Sequence, residues 1–109
     1  MKTIDRMDRV NANLLRLLSG IVHHELDANN DLVTLTSVLT NRDLQEALIS
    51  VTAIDNVEKY VEILNQNQFS IRSRLKPLLD FKVIPNLKFV VDKHGQDITQ
   101  VEKILDSLP

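Results

Sequence analysis

The stretch LVTLTSVLTNRDLQEALISVTAI, residues 32–54, decides the fold of this 109-residue chain. Its two ends, residues 32–40 and 47–54, are rich in Val, Ile, Leu and Thr with partial two-residue alternation, a pattern typical of β-strands. Residues 41–46 between them are mostly polar and too few for a crossover connection. The spacing therefore predicts two adjacent antiparallel strands.

Helical periodicity flanks these strands on both sides. Before them, apolar residues recur every three or four positions over residues 4–26 and predict one long helix. Gly20 inside this helix costs about 1 kcal/mol relative to alanine, so we expect a close backbone approach at that point. After the strands, Asp55 is the predicted N-cap of a second helix, which Asn65-Gln66-Asn67-Gln68 interrupts.

The remainder of the chain adds further elements. A third helix is predicted from about Ser70, with a kink at Pro77, and residues 87–92 alternate as a third strand does. A turn at His94-Gly95 and a short C-terminal helix capped by Asp97 follow. The order helix, strand, strand, helix, helix, strand predicts an α+β domain in which helices cover one face of a three-stranded mixed sheet.

Length and composition predict one domain over residues 1–109, since 43% of the residues are hydrophobic and no linker-like tract interrupts them. The absence of cysteine excludes disulfides, thiolate metal sites and cysteine nucleophiles, and fits a reducing compartment. Residues 1–6 mix charge signs and lead into no unbroken apolar run. We therefore expect neither a signal peptide nor a membrane span, and a cytoplasmic location.

The cluster His23-His24-Glu25 is a candidate metal site, because His23 and Asp27 stand one helical turn apart. Zinc takes three or four ligands, however, and the sequence supplies no further ones at a suitable spacing. The alternative is a pair of histidines stabilised at the negative end of a helix dipole. The chain also has only two glycines and no Gly-x-Ser-x-Gly motif, so we expect no metal, no cofactor and no catalysis.

Charge is distributed unevenly along a chain whose formal net charge is −2. Residues 25–66 hold two basic and eight acidic side chains. Residues 72–88 hold one acidic side chain, Asp80, and five basic ones, which we call the basic segment: Arg72, Arg74, Lys76, Lys82 and Lys88. We expect the basic segment to contact RNA phosphates, although exposed cations are also simply the solvated surface of many small domains.

Two further sets of residues bear on RNA binding. Arg6, Arg9 and Arg16 on the first helix extend the basic set, but Asp5 and Asp8 interleave with them, so a weaker contribution is expected. Among the aromatic residues, Phe69 is a candidate for stacking on a base or, equally, a core residue, and Phe81 and Phe89 are predicted to be core.

Several segments together resemble the ribosome-binding factor A family: Arg9-Val10-Asn11, Val33-Thr34-Leu35-Thr36-Ser37-Val38, Asp43-Leu44-Gln45-Glu46-Ala47, Ile71-Arg72-Ser73 and Pro85-Asn86-Leu87-Lys88-Phe89-Val90-Val91-Asp92. The resemblance covers nearly the whole chain. It implies a type II KH-like fold, whose element order is the one predicted above. It also implies a non-catalytic factor that binds the 16S rRNA of the immature small ribosomal subunit and assists its late maturation, notably at low temperature. A monomer is expected, with other assembly factors as further partners.

The sequence departs from this family at the segment that precedes Ile71. KH modules usually grip RNA with a Gly-x-x-Gly loop, and this family usually has a small residue and a glycine there. Here the residues are Asn67-Gln68-Phe69-Ser70. Asn41 stands where relatives commonly have a serine, and it is expected to cap the same turn.

Two alternative functions use the same residues differently. A protein-interaction adaptor would bind through the acidic stretch 43–62 or by strand addition at an open sheet edge. DNA binding would use the basic segment. Salt dependence separates RNA binding from the adaptor, because phosphate contacts weaken steeply as salt rises.

Overall fold

The computed structural model describes residues 6–26, 31–80 and 84–93. Its sheet has the strand order β1-β2-β3, with β1 antiparallel and β3 parallel to the central strand β2. The elements in chain order are α1 (Arg6–Glu25), β1 (Thr34–Thr40), β2 (Glu46–Thr52), α2 (Val57–Gln66), α3 (Gln68–Leu75), a 3-10 turn (Lys76–Leu78) and β3 (Asn86–Val91). The predicted α+β, KH-like element order and mixed sheet are confirmed. The predicted turn at His94 and the C-terminal helix lie outside the described residues.

The core lies between the helices and one face of the sheet. Alternate residues of the two parallel strands point to this side, and Ile49 of β2 pairs directly with Phe89 of β3. Both are almost completely buried, so Phe89 is a core residue as predicted. The helices and strands contribute to this core the residues Leu14, Leu18, Ile21, Val38, Ala47, Val51, Leu64, Ile71, Leu75 and Leu87.

Two asparagines fix the ends of β1 and β2. The Oδ1 atom of Asn41 accepts hydrogen bonds from the backbone N–H groups of Gln45 and Glu46, at 2.9 and 3.1 Å, which confirms that Asn41 caps this loop. The Oδ1 atom of Asn11 accepts from the backbone N–H and the hydroxyl of Thr40, at 3.1 and 2.7 Å. α1 is thereby tied to the end of β1.

The break between α2 and α3 forms at Asn67 without a glycine. Asn67 has φ −98° and ψ 16°, angles that a residue with a side chain can adopt. Its backbone N–H donates to the carbonyl oxygens of Ile63 and Leu64, and its side-chain amide donates to that of Ile63 at 2.8 Å. These bonds satisfy carbonyl groups that the end of a helix leaves free. The predicted interruption is confirmed, and α3 begins at Gln68.

Some local predictions are wrong. α2 follows Asn56, which adopts a left-handed φ of 62°, so Asp55 is not its N-cap and its carboxylate instead accepts from the N–H of Asn56. Leu32 has φ 48°, which excludes it from β1. Among the described residues no close approach occurs at Gly20, because a Cβ atom placed there would meet none of their atoms within 4 Å. Gly20 lies on the exposed side of α1.

Side chains from the junction of α2 and α3 occupy the outer side of β3. The amide of Asn65 accepts from the N–H of Phe89 at 2.8 Å and donates to its carbonyl at 2.9 Å. The Oε1 atom of Gln68 accepts from the N–H of Leu87 at 2.7 Å. An edge strand normally leaves such groups available to another strand. At these residues, β3 is therefore closed to strand addition.

Replacing Asn65 by alanine is expected to lower the free energy of unfolding by about 2–3 kcal/mol, because it leaves a part-buried N–H and a carbonyl of Phe89 without their partner. Urea denaturation followed by circular dichroism measures the difference. Gln66→Ala, at an exposed neighbouring position, is the matched control and should change stability by less than about 0.5 kcal/mol. Equal effects of the two substitutions would contradict the role of Asn65.

Candidate nucleic-acid interface

The basic segment separates onto different surfaces in the folded chain. Lys88 is exposed on β3, and it points away from the helices because its neighbour Phe89 is buried beneath them, as predicted. Arg74 on α3 and Lys76 in the 3-10 turn are exposed on the helical side. Lys82 lies outside the described residues. Nearness in sequence has therefore not produced one basic patch.

Arg72 has a structural role within this set. It is half-buried, and its Nη2 atom donates to the carbonyl oxygen of Ile84 at 2.9 Å. Its Nε atom is buried without a hydrogen-bond partner among the described residues. Ile84 stands just before β3, so Arg72 joins α3 to the chain that enters this strand and is less available to an external phosphate than Arg74.

The outward side of α1 carries the better-aligned basic side chains. Arg9, Arg16 and His23 are spaced seven residues apart, and all three are exposed. Seven residues make almost two full helical turns, so each of these residues is offset from the previous one by only about 20° around the helix axis. Arg6 and His24 are exposed beside them. We call these five residues the basic face of α1.

Asp8 is also exposed on α1, and a rotation of about 100° per residue places it about 80° from Arg16, on the flank opposite Arg6 and His24. The weaker contribution expected of α1 because of this carboxylate therefore stays a prediction. Asp5 lies outside the described residues. The signal that could have identified this surface is the seven-residue repeat, whereas counting charges in a linear window obscured it.

An ion pair joins α3 to the end of α1. The Nε atom of Arg74 lies 2.5 Å from the Oε1 atom of Glu25, and the hydroxyl of Ser70 donates to the same oxygen at 3.2 Å. The side chain of Glu25 is largely covered, while that of Arg74 is 61% exposed. The pair therefore positions the guanidinium of Arg74 beside the basic face of α1. Its partners are far apart in sequence, which hid it from the sequence analysis.

Phe69 resolves an alternative that the sequence left open. Its side chain is 81% exposed at the beginning of α3, so it is not a core residue. An exposed aromatic ring is a platform on which an unpaired base can stack. Phe81 lies outside the described residues.

The histidine cluster lies at the C-terminal end of α1, where the helix-dipole alternative expected it. His23 and His24 lie in the last turn of α1, with their ring centroids 6.3 Å apart and the rings edge to face. Asp27 is not among the described residues, and within residues 6–26, 31–80 and 84–93 no group of three potential metal ligands occurs. In that same part of the chain, no helix has the length and apolar character needed to cross a membrane.

Apart from Asp8, which flanks the basic face of α1, the exposed acidic side chains of the described residues lie on other surfaces. Asp43 is exposed in the loop between β1 and β2, and Glu58 and Glu62 are exposed on α2. The chain as a whole is weakly negative, yet its described charges are segregated. A polyanion would thus find its complement on the outward side of α1 and the adjoining part of α3.

Comparison with known proteins gives a consistent match over the length of the chain. The family model for ribosome-binding factor A matches residues 6–105. A ribosome-binding factor A from Chlorobaculum tepidum is 32% identical over 108 residues, which cover 94% of this chain and 90% of that protein. One from Mycoplasmopsis pulmonis is 27% identical over 104 residues, covering 94% and 93%.

Solved structures match in fold. The crystal structure of ribosome-binding factor A from Thermus thermophilus has a TM-score of 0.74 at 20% identity, covering 80% of this chain and 97% of that one. A homology model of the Thermus thermophilus protein, fitted into the cryo-EM map of a 30S-RbfA complex, has a TM-score of 0.68 at 20% identity and covers 79% and 94%.

Arg72→Ala is expected to lower the free energy of unfolding by about 1–3 kcal/mol, since the carbonyl of Ile84 loses its donor and the half-buried stem of the side chain loses its packing. Lys76→Ala, at an exposed position close by, should cost less than about 0.5 kcal/mol. Chemical denaturation of both variants tests this difference. A fully stable Arg72→Ala protein would show that Arg72 is available for binding.

Proposed function

The chain belongs to the ribosome-binding factor A family, and from this membership we propose that it is an assembly factor that binds the 16S rRNA of the immature small ribosomal subunit. It acts as a single domain and a monomer in the cytoplasm, assists late rRNA maturation, and matters most at low temperature. It works by binding, without catalysis or a cofactor. Other assembly factors are its further partners.

The observation that carries this proposal is the alignment of exposed cations on the basic face of α1. Arg9 and Arg16 are exposed two turns apart, about 10 Å along the helix. A line of guanidinium groups of this kind can follow a phosphate backbone, because each group offers several donors in a planar fork. The Thermus thermophilus relative fitted into a map of a 30S complex supports the choice of partner.

The proposed phosphate contacts fall into two groups. The first comprises Arg6, Arg9 and Arg16 on α1 with Arg74 and Lys76 at α3, because all five are exposed on the helical side. The second comprises Arg72, Lys82 and Lys88. Of these, Arg72 is engaged with Ile84 and Lys88 lies on the opposite face of the sheet, so they reach RNA only where it extends around the domain.

The adaptor alternative receives less support. Strand addition requires free N–H and C=O groups on an edge strand. On β3 the side chains of Asn65 and Gln68 already bind the N–H and C=O of Phe89 and the N–H of Leu87, which leaves β1 as the edge for an added strand. RNA binding through the basic face of α1 uses groups that are unengaged by carboxylates among the described residues.

Purified protein is expected to co-sediment with small ribosomal subunits and to dissociate as salt rises, with a log-log slope of about −3 if four phosphates are contacted. Arg9→Glu combined with Arg16→Glu should weaken this association by more than about tenfold, because both charges are reversed on one surface. Sucrose gradients across a salt series provide the measurement.

The matched control is Lys59→Glu, which reverses an exposed cation on α2, away from the basic face of α1. It should leave co-sedimentation within about twofold of the wild type. Failure of the wild-type protein to associate with small subunits at any salt concentration would refute the proposed function.

A further inference from the structure

We propose that the groove between α1 and the 3-10 turn after α3 is a pocket for one unpaired nucleotide of the bound RNA. The inference rests on the proposed RNA-binding function and specifies a part of the ligand. The groove encloses about 530 Å³, within the range of ligand pockets of about 300–1,000 Å³.

The floor of the groove is apolar. Leu17 and Ile21 line it from α1, and Pro77 and Leu78 line it from the 3-10 turn. Leu78 is 52% exposed, although leucine is a residue that folding normally buries. A planar base that covers Leu78 and Pro77 would remove this apolar surface from water.

The rim of the groove is cationic and oriented. Arg16 and His24 line it from α1, and Arg74 lines it from α3. The Nη2 atom of Arg16 donates to Asn13 at 3.0 Å, and the Nε atom of Arg74 is paired with Glu25. A guanidinium has five N–H donors, so both groups are positioned and still have donors for a phosphate. Among the described residues, those that line the groove include no carboxylate.

Gly20 keeps the groove open on the α1 side. A glycine in the middle of a helix lowers its stability relative to alanine, and no packing inside the domain requires one here. Because Gly20 also lines the groove, between Arg16 and His24 on the same side of the helix, its missing side chain gives a ligand access to the floor.

The combination of floor and rim selects an unpaired nucleotide over a duplex. In a duplex the bases are stacked and paired, so their edges, the sugars and the phosphates are accessible but the flat faces of the bases are not. An unpaired nucleotide offers both a base for the apolar floor and a phosphodiester for Arg16 and Arg74. Single-strand binding proteins also combine cations for the backbone with a surface for the bases; that surface is usually aromatic, whereas here it is aliphatic.

The test compares a fluorescein-labelled single-stranded uridine RNA with a labelled RNA duplex, by fluorescence anisotropy on the full chain. Gly20→Leu fills the groove from α1 and should weaken binding of the single strand by about tenfold, with duplex binding changed less than about twofold. Its thermal stability should equal or exceed that of the wild type, because leucine is a better helix former than glycine. Gly20→Ala, the control, should bind both RNAs as the wild type does.

A second pair of variants tests the floor. Leu78→Asp places a negative charge where the base lies and should reduce single-strand binding, whereas Ile54→Asp, at a position 71% exposed and outside the groove, should not.

Unchanged single-strand binding by Gly20→Leu and Leu78→Asp, while the wild type binds RNA, would overturn the pocket alone. Equal losses on single strand and duplex would also overturn it. If the wild type binds neither RNA nor small subunits, the proposed function fails together with the pocket. A third outcome concerns a poly-glutamate peptide that binds the wild type in competition with RNA. If Gly20→Leu no longer binds this peptide but still binds RNA, the groove belongs to a protein partner.

Discussion

Parallel pairing of β2 and β3 is the constraint on which the rest of this domain depends. Parallel neighbours cannot be joined by a tight turn, so the chain after β2 must cross one face of the sheet before β3 can pair. α2 and α3 form that crossover, and the break at Asn67 lets the two helices take different directions within it. The same crossover carries Asn65 and Gln68 to the outer side of β3 and Arg74 to the end of α1. Sheet pairing thus determines where the cations of α3 are placed.

Hydrophobic periodicity was sufficient to predict the order of the elements, because each helix and strand buries one face and therefore carries apolar residues at a regular spacing. The alternation of apolar Leu87 and Phe89 with other residues in 87–92 predicted β3, and both side chains are buried. The site was predicted less well, since the position of a charged residue in the sequence does not indicate which residue it will contact in the folded chain. Arg72 and Arg74 are two positions apart, yet one faces the carbonyl of Ile84 and the other faces Glu25. Contacts of this kind depend on tertiary structure, and no local pattern specifies them.

Segregated charge reconciles a weakly acidic chain with a polyanionic partner. The acidic side chains of α2 and of the loop between β1 and β2 leave the outward side of α1 positive over several turns. A domain with this distribution would be oriented by the field of a polyanion before contact, since its acidic surfaces would be repelled while the cations of α1 would be attracted. The net negative charge taken alone argues against RNA binding, whereas the local field around α1 favours a polyanion.

The side-chain bonds along β3 have a consequence for self-association. A three-stranded sheet has two edges, and growth of a sheet through successive copies requires that both be available to pair. In this domain the side chains of Asn65 and Gln68 bind backbone groups of β3. Two copies that paired through their β1 strands would therefore have no open edge to which a third copy could add. Polymerisation through the sheet would end after two copies, so the bonds of Asn65 and Gln68 add to the edge protection that the exposed Lys88 on β3 and Pro85 just before it provide.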